Sequence, residues 1–337
     1  MQKKTSLKDI AAKVGVSTAL VSYVLNNKKE GRIRKEVAQK IKDIAAKLNY
    51  RPNQIARSLK TNQTNTIGLI VADISNPFSS GLARVIEDEA NNHGYTVIFG
   101  SSDEKASKSA KLIDALLNRQ VDGLIISPPA GSELQILNLK KQKVPFVLLD
   151  RYFPDIPTNN VSLNNYAAAY EAVQHFIEIG RKKIALINYN TTLFNLNERE
   201  TGYKAAMKQA SIEVDPKWMQ RVDISNDQAE IEAAVAILLE EPGKTDAILF
   251  GSNRIAAGAL KYINSLNLRV PEDLCLIGFD ETEIFDFFHA PLTYVQQPVA
   301  GLGQLATQLL LENIKTKQRP KQILMNARLV TRRSTMQ

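Results

Sequence analysis

Along the first fifty residues, apolar positions recur at helical spacing. In "SLKDIAAKVGV", Ile10, Ala11 and Val14 share one face, Ser6 can cap the start, and Asp9 completes a capping box. Gly15 can supply a positive φ at the break. Ser17 then caps a second helix, predicted over 18 to about 26, with Leu20, Val21, Val24 and Leu25 inward. Thr18, Ala19, Ser22 and Tyr23 are left pointing elsewhere. A third helix, about 35–48, would bury Val37, Ile41, Ile44, Ala45 and Leu48. Helix, glycine turn, helix and supporting helix make a helix-turn-helix unit. Pro52 ends the preceding element, Asn53 can cap a new one, and "QIARSLK" allows about two helical turns, too few to hold without a partner. "TNQTN" reads as a linker.

From Thr66 the pattern changes to short apolar runs between amphipathic stretches. Strands are expected over 66–73, 95–102, 123–127, 145–150, 183–189, 246–252 and 274–280. Helices are expected over 78–93, 105–119, 165–180, 198–210, 226–240, 253–266 and 298–315. Such alternation implies parallel sheets covered on both faces, and about 265 residues suit two lobes. Ligands in open α/β sheets bind beyond the carboxyl ends of the strands. Polar residues fall there: Asp73 with Ser75 and Asn76, Ser127, Asp150 and Arg151, Ser252 and Asn253, and Asp280. A carboxylate accepts hydrogen bonds from neighbouring hydroxyls, Arg or Asn donates the complementary ones, and Phe78 can cover an apolar ring face. The competing use of Asp150 and Asp280 is to cap turns.

Charge separates the two regions. The chain of 337 residues has a formal net charge of +8, but residues 1–60 hold 15 Lys/Arg against 4 acids, and the rest 28 against 31. A basic end on a mildly acidic body suggests a polyanion partner for that end. Cys275 is the single cysteine, so an intrachain disulfide is excluded and no cysteine metal cluster exists. No apolar run approaches the roughly 20 residues of a membrane span, and no apolar segment follows the basic start. The expectation is a cytoplasmic protein without metal or cofactor. Dinucleotide, Walker A, nucleophile-elbow and zinc-protease motifs are missing from the sequence; the one G-x-G, at Gly301, follows Pro298 and opens no phosphate loop.

"SLKDIAAKVGVSTALVSYVLN" with "LNYRPNQIARSL" resembles the lactose-repressor/galactose-repressor (LacI/GalR) family of bacterial transcription regulators. "IGLIVADISNPFSSGLARVIEDEANNHGY", "VDGLIISPP", "VPFVLLDR", "NERETGY", "DAILFGSNRIAAGAL" and "VPEDLCLIGFDETE" continue the likeness through the body. The resemblance implies an α/β chain in three parts. These are an all-α DNA-binding headpiece (1–50), a hinge helix and linker (51–65), and a two-lobed periplasmic-binding-protein-like core (66–337). The N-lobe would hold about 66–163 and 292–325, the C-lobe about 164–291 and 326–337. A homodimer would bind a palindromic duplex operator. A small effector between the lobes, a sugar or sugar derivative, would control that grip.

The resemblance also assigns residues. Thr18, Ala19 and Tyr23 stand where the family reads bases, beside Ser22. Ser17, Asn26 and Tyr50 match phosphate or hinge contacts. Asn53, Ala56 and Leu59 would lie on the hinge helix, with Leu59 as a minor-groove wedge. Phe78, Ser127, Asp150, Arg151, Arg199, Asn253, Asp280 and Gln297 would bind the effector. Tyr23 replaces the family's Arg, and Arg34 stands where a capping Ser is usual. Arg254 replaces the usual Asp, which adds positive charge near the cleft. The competing readings are an extracytoplasmic sugar-binding protein without DNA function, and an α/β enzyme.

Overall fold

A computed structural model describes residues 5–26, 33–50, 63–223, 228–241, 243–316 and 319–336. The chain forms two units, Met1–Thr64 and Asn65–Gln337.

In the small unit, the described helices are α1 (Leu7–Val14), α2 (Thr18–Leu25) and α3 (Lys35–Lys47). The capping box at α1 is formed: Ser6 Oγ accepts from the Asp9 N–H, and the Asp9 carboxylate accepts from the Ser6 N–H. Gly15 closes α1 at φ +80° with open space around it, so the requirement there is conformational and not steric. Ser17 Oγ accepts from the Leu20 N–H and starts α2. Arg34 precedes α3 without a side-chain cap. Each helix contributes one fully buried aliphatic side chain, Ile10, Val21 and Ile41, and the predicted inner-face residues pack around them. The predicted hinge helix, with Asn53, Ala56 and Leu59, lies outside the described residues.

The described residues of the large unit form two sheets. The first uses β1 (Thr66–Val71), β2 (Thr96–Ser101), β3 (Gly123–Ile126), β4 (Phe146–Leu149), β5 (Asn160–Leu163) and β11 (Gln322–Met325), all pairing in parallel. The second uses β6 (Ile184–Tyr189), β7 (Met219–Val222), β8 (Ala247–Phe250), β9 (Cys275–Phe279), β10 (Thr293–Gln296) and β12 (Arg328–Val330), parallel except for β10 with β12. Strand order is 2-1-3-4-5-11 in one and 7-6-8-9-10-12 in the other. Both are doubly wound, and such sheets place a crevice at the carboxyl edge where the winding reverses.

Helices cover the sheets. They are α4 (Pro77–Asn92), α5 (Ala106–Asn118), α6 (Glu133–Lys141), α7 (Asn165–Glu178), α8 (Phe194–Gln209), α9 (Gln228–Leu239), α10 (Asn253–Ile263), the short α11 (Ile284–Phe287) and α12 (Val299–Lys315); α4, α7, α8 and α10 carry residues of the site. The central strands are buried along their length except at Thr66, the first residue of β1, as apolar runs covered on two faces should be. α8 lies close against α7 because residue 202 is glycine: a Cβ there would come within 2.2 Å of the Tyr166 carbonyl oxygen. Among the described residues, no helix is long and apolar enough to cross a membrane.

One boundary is corrected. The sequence reading begins the return to the N-lobe at 292, but β10 pairs with β9 in the second sheet. The chain crosses only after it, and α12 then packs on α4 and the first sheet. "TYVQ" is four residues long and buried at its first three positions, with no flanking alternation to mark it as a strand. β5, β7, β11, β12 and α6 were missed for the same reason: they are short, and most are mixed in polarity.

Candidate functional site

The headpiece offers a small polar face. Ser17, Thr18 and Ala19 are exposed at the first turn of α2, and Ser22 and Tyr23 are half-buried one turn on. N–H groups at a helix start favour phosphate. Asn26, at the end of α2, donates its side-chain amide to the Ser22 carbonyl at 2.7 Å, so part of its hydrogen-bonding capacity serves its own helix. Tyr50 packs against the three-helix core, and burial raises its phenol above the usual range.

In the large unit, a cleft of about 600 Å³, including space open to solvent, runs between the carboxyl ends of the two sheets. Two aspartates occupy matching places. Asp150 follows β4 and Asp280 follows β9, and both have φ of +67°. In each, the N–H donates to the neighbouring strand, to Val161 at 2.9 Å and to Val295 at 3.0 Å. A left-handed backbone costs most side chains about 1 kcal/mol or more, Asp less, and strain of this kind collects at functional sites. Here it turns both carboxylates off the strand ends into the cleft, where both residues are buried.

Arg199 lines the same cleft and interacts in charge with both acids. It is 3% exposed. Its Nε donates to Asn165 Oδ1 at 2.8 Å, its Nη1 to the Gly251 carbonyl at 2.6 Å, and its guanidinium lies 3.9 Å from the Phe279 ring centre. The close approach at Gly202 is what brings Arg199 of α8 onto Asn165 of α7. Burial lowers the Arg199 pKa, and the charges of Asp280 and Asp150 oppose that. Burial raises the Asp150 pKa to about 6, against the pull of Arg151 and Arg199. Asp280 is raised by burial too, opposed by Arg199 and by a short hydrogen bond from the Gln297 amide.

The other charges pair off. Arg151 grips Glu104 with both guanidinium ends, at 2.5 and 2.7 Å; burial acts to lower its pKa, but Glu104 outweighs that and leaves it raised. Arg254 Nη1 donates to Asp73 at 2.7 Å. The positive charge expected of Arg254 is therefore neutralised by a carboxylate from the other lobe. What remains in the cleft is Asp150 and Asp280 against Arg199.

Of the predicted effector residues, Phe78, Asp150, Arg151, Arg199, Asp280 and Gln297 line this cleft. Asn253 does not; its amide donates to Asn76 Oδ1 at 2.8 Å and ties α10 to the start of α4. Ser127 is buried at the end of β3, its N–H bonded to Ile70, and is not part of the lining either. Glu104, Tyr189 and Asn195 line the cleft without having been predicted. Tyr189 ends a predicted strand and was legible by the same logic as Asp73. Asn195 was hidden because α8 begins four residues before the predicted start. Several cleft atoms are buried without a partner: Asp150 Oδ1, Asn195 Oδ1 and Gln297 Oε1, all acceptors, and the donor Arg151 Nε, which stands 3.7 Å from Asp150, too far for a hydrogen bond. Among the described residues, no group of three or more His, Cys, Asp or Glu is placed to hold a metal ion.

Two family models match this architecture. Residues 6–53 match the bacterial regulatory proteins of the lacI family. Residues 64–333 match the periplasmic binding proteins and sugar binding domain of the LacI family. The ribose operon repressor of Halalkalibacterium halodurans is 35% identical over 93% of this chain and 91% of its own. The transcriptional repressor PurR of Aliivibrio fischeri is 32% identical over 98% of both. Among solved structures, the lac repressor dimer bound to operator and an anti-inducer superposes with a TM-score of 0.88, covering 99% of this chain and 100% of that one at 24% identity. The transcription regulator CcpA of Lactococcus lactis superposes at 0.74 over 80% of this chain and 99% of that one, at 27% identity. The chain belongs to the LacI/GalR family of bacterial regulatory proteins and is a ligand-controlled, DNA-binding transcriptional repressor.

Proposed function

We propose that the controlling ligand is a neutral, polyhydroxylated sugar held between the two carboxylates and Arg199. The observation that carries this is the set of buried acceptors with no partner, Asp150 Oδ1, Asn195 Oδ1 and Gln297 Oε1. Buried acceptors left unpaired cost about 1–3 kcal/mol each, so a ligand rich in hydroxyl donors is favoured. Arg199 supplies donors for ring or hydroxyl oxygens, and Phe78 an apolar wall. The charge balance favours a neutral ligand: with Arg151 and Arg254 already paired, a phosphorylated sugar would meet two acids and one arginine. Calorimetric titration of the purified protein with neutral pentoses and hexoses, their phosphate esters and free purines tests this. The neutral sugars should bind and the esters should not; binding of an ester or a purine alone would overturn the reading.

On the DNA side, the reading is that Ser17, Thr18, Ala19, Ser22 and Tyr23 meet a major groove, with Asn26 and Tyr50 on the backbone. Asn53, Ala56 and Leu59 belong to the same proposal as the hinge contact, with Leu59 opening a minor-groove step. The protein would act in the cytoplasm as a homodimer on a palindromic site, without a cofactor and without catalytic activity. Leu59→Ala should weaken specific binding while sparing salt-dependent nonspecific binding; an equal loss of both would remove the wedge. Footprinting that gave no symmetric protection would remove the palindrome.

A further inference from the structure

Among the described residues, two hydrogen-bonded side-chain pairs join the lobes at the cleft, beside an edge-on ring contact of Tyr152 with Phe194 at 5.2 Å. Arg254 of α10 donates to Asp73 beyond β1 at 2.7 Å, and beside it Asn253 and Asn76 exchange amide hydrogen bonds at 2.8 and 3.3 Å. Both partners of the ion pair line the cleft. The Arg254 side chain is 39% exposed and Asp73 18%, so the pair sits towards solvent while the ligand-facing acids lie deeper. Asp73 is also held from its own side: its Oδ1 accepts from the Ser75 N–H and hydroxyl, which fixes Oδ2 toward Arg254.

We propose that Asp73–Arg254 is a strap across the cleft mouth. It holds the lobes together before any effector arrives, and it must part for one to enter. The bond needs residues from both lobes and no ligand atom, so it stabilises the closed arrangement of the core by itself. Its stabilisation of a partly exposed ion pair falls with salt. An effector that contacts both lobes then finds a preformed site, and the strap sets the population of that site and the rate of entry. The identity of the effector does not enter this inference.

The test is therefore made without ligand, on the full chain. Spin labels go on Ser107→Cys in the first turn of α5 and Thr192→Cys ahead of α8, both exposed and both beyond carboxyl strand ends; Cys275 is buried and stays. Doubly labelled protein is diluted into excess unlabelled protein, so that the distances read are those within one chain. At low salt, R254Q and D73N should each move the distance distribution outward by about 3 Å or more, as lobe opening requires. D73N keeps the Oδ1 acceptor that holds the turn. The exchanged pair D73R/R254D should restore the shorter distance, and high salt should widen the wild type but not R254Q. Superimposable distributions for wild type, R254Q and D73N would overturn the proposal, as would widening in only one of the single variants.

Discussion

The two lobes of the core present the same backbone device with different chemistry around it. Each ends its fourth strand on an aspartate in the left-handed region, bonded through its N–H to the next strand. In the second lobe the carboxylate is satisfied: Gln297 donates to Asp280, and Arg199 stands over Phe279 nearby. In the first lobe Asp150 keeps an oxygen with no partner, and its neighbour Arg151 is turned to Glu104 instead. The comparison separates two jobs that residue type alone would merge. Asp280 belongs to a pre-assembled wall, whereas Asp150 carries a buried acceptor without a partner, which the proposed ligand would satisfy.

The largest effect should come from breaking the wall. Arg199→Ala leaves Asp280 and Asn165 without their buried cation, so thermal unfolding should show a loss of about 3 kcal/mol, and effector binding should fall below detection. Unchanged effector affinity would sink the assignment of Arg199. Gly202→Ala should come next. The added methyl cannot fit against the Tyr166 carbonyl, so α8 must shift and carry Arg199 off Asn165; a loss of about 1–3 kcal/mol with weakened effector binding is expected.

Asp150→Asn should move the other way. With the folded pKa raised to about 6 from an unfolded 3.8, the protonated form is favoured in the fold. That stability is complete below about pH 4 and is lost as pH rises through 6. At pH 7 the asparagine variant should be more stable by roughly 2 kcal/mol, with a flatter profile between pH 4 and 6. It should also lose effector affinity, since an ionised acceptor is replaced. Asp280→Asn, already bonded to Gln297, should gain less stability than Asp150→Asn; an equal or larger gain would erase the distinction between the two acids.

A smaller effect follows for the wild type. On the proposed sugar reading, ligand hydroxyls would prefer the ionised Asp150, so affinity should strengthen several-fold from pH 5 to 7, with protons released on binding, measurable by titration in buffers of different ionisation enthalpy. Least of all for stability is Ala19→Ser on the exposed start of α2: melting should stay within about 0.5 kcal/mol while base preference in a binding selection changes.

Much of this was readable in order along the chain. The helix caps at Ser6 and Ser17, the turn at Gly15, and the strands from Thr66 depend on neighbours within a few residues, and the structure has them where the periodicity puts them. The family likeness supplied six of the cleft-lining residues. It failed where partners are distant: nothing near residue 254 announces Asp73, 181 positions away, and nothing near 199 announces Asn165.

The sequence by itself determined the basic headpiece, the α/β alternation and the polar residues at strand ends, because caps, turns and hydrophobic periods are local properties of the chain. Only the tertiary structure decided which of those polar groups face each other, which charges cancel and which acceptors stay unpaired. Those outcomes depend on burial and on atoms brought within 3 Å from opposite lobes, and no local pattern encodes either.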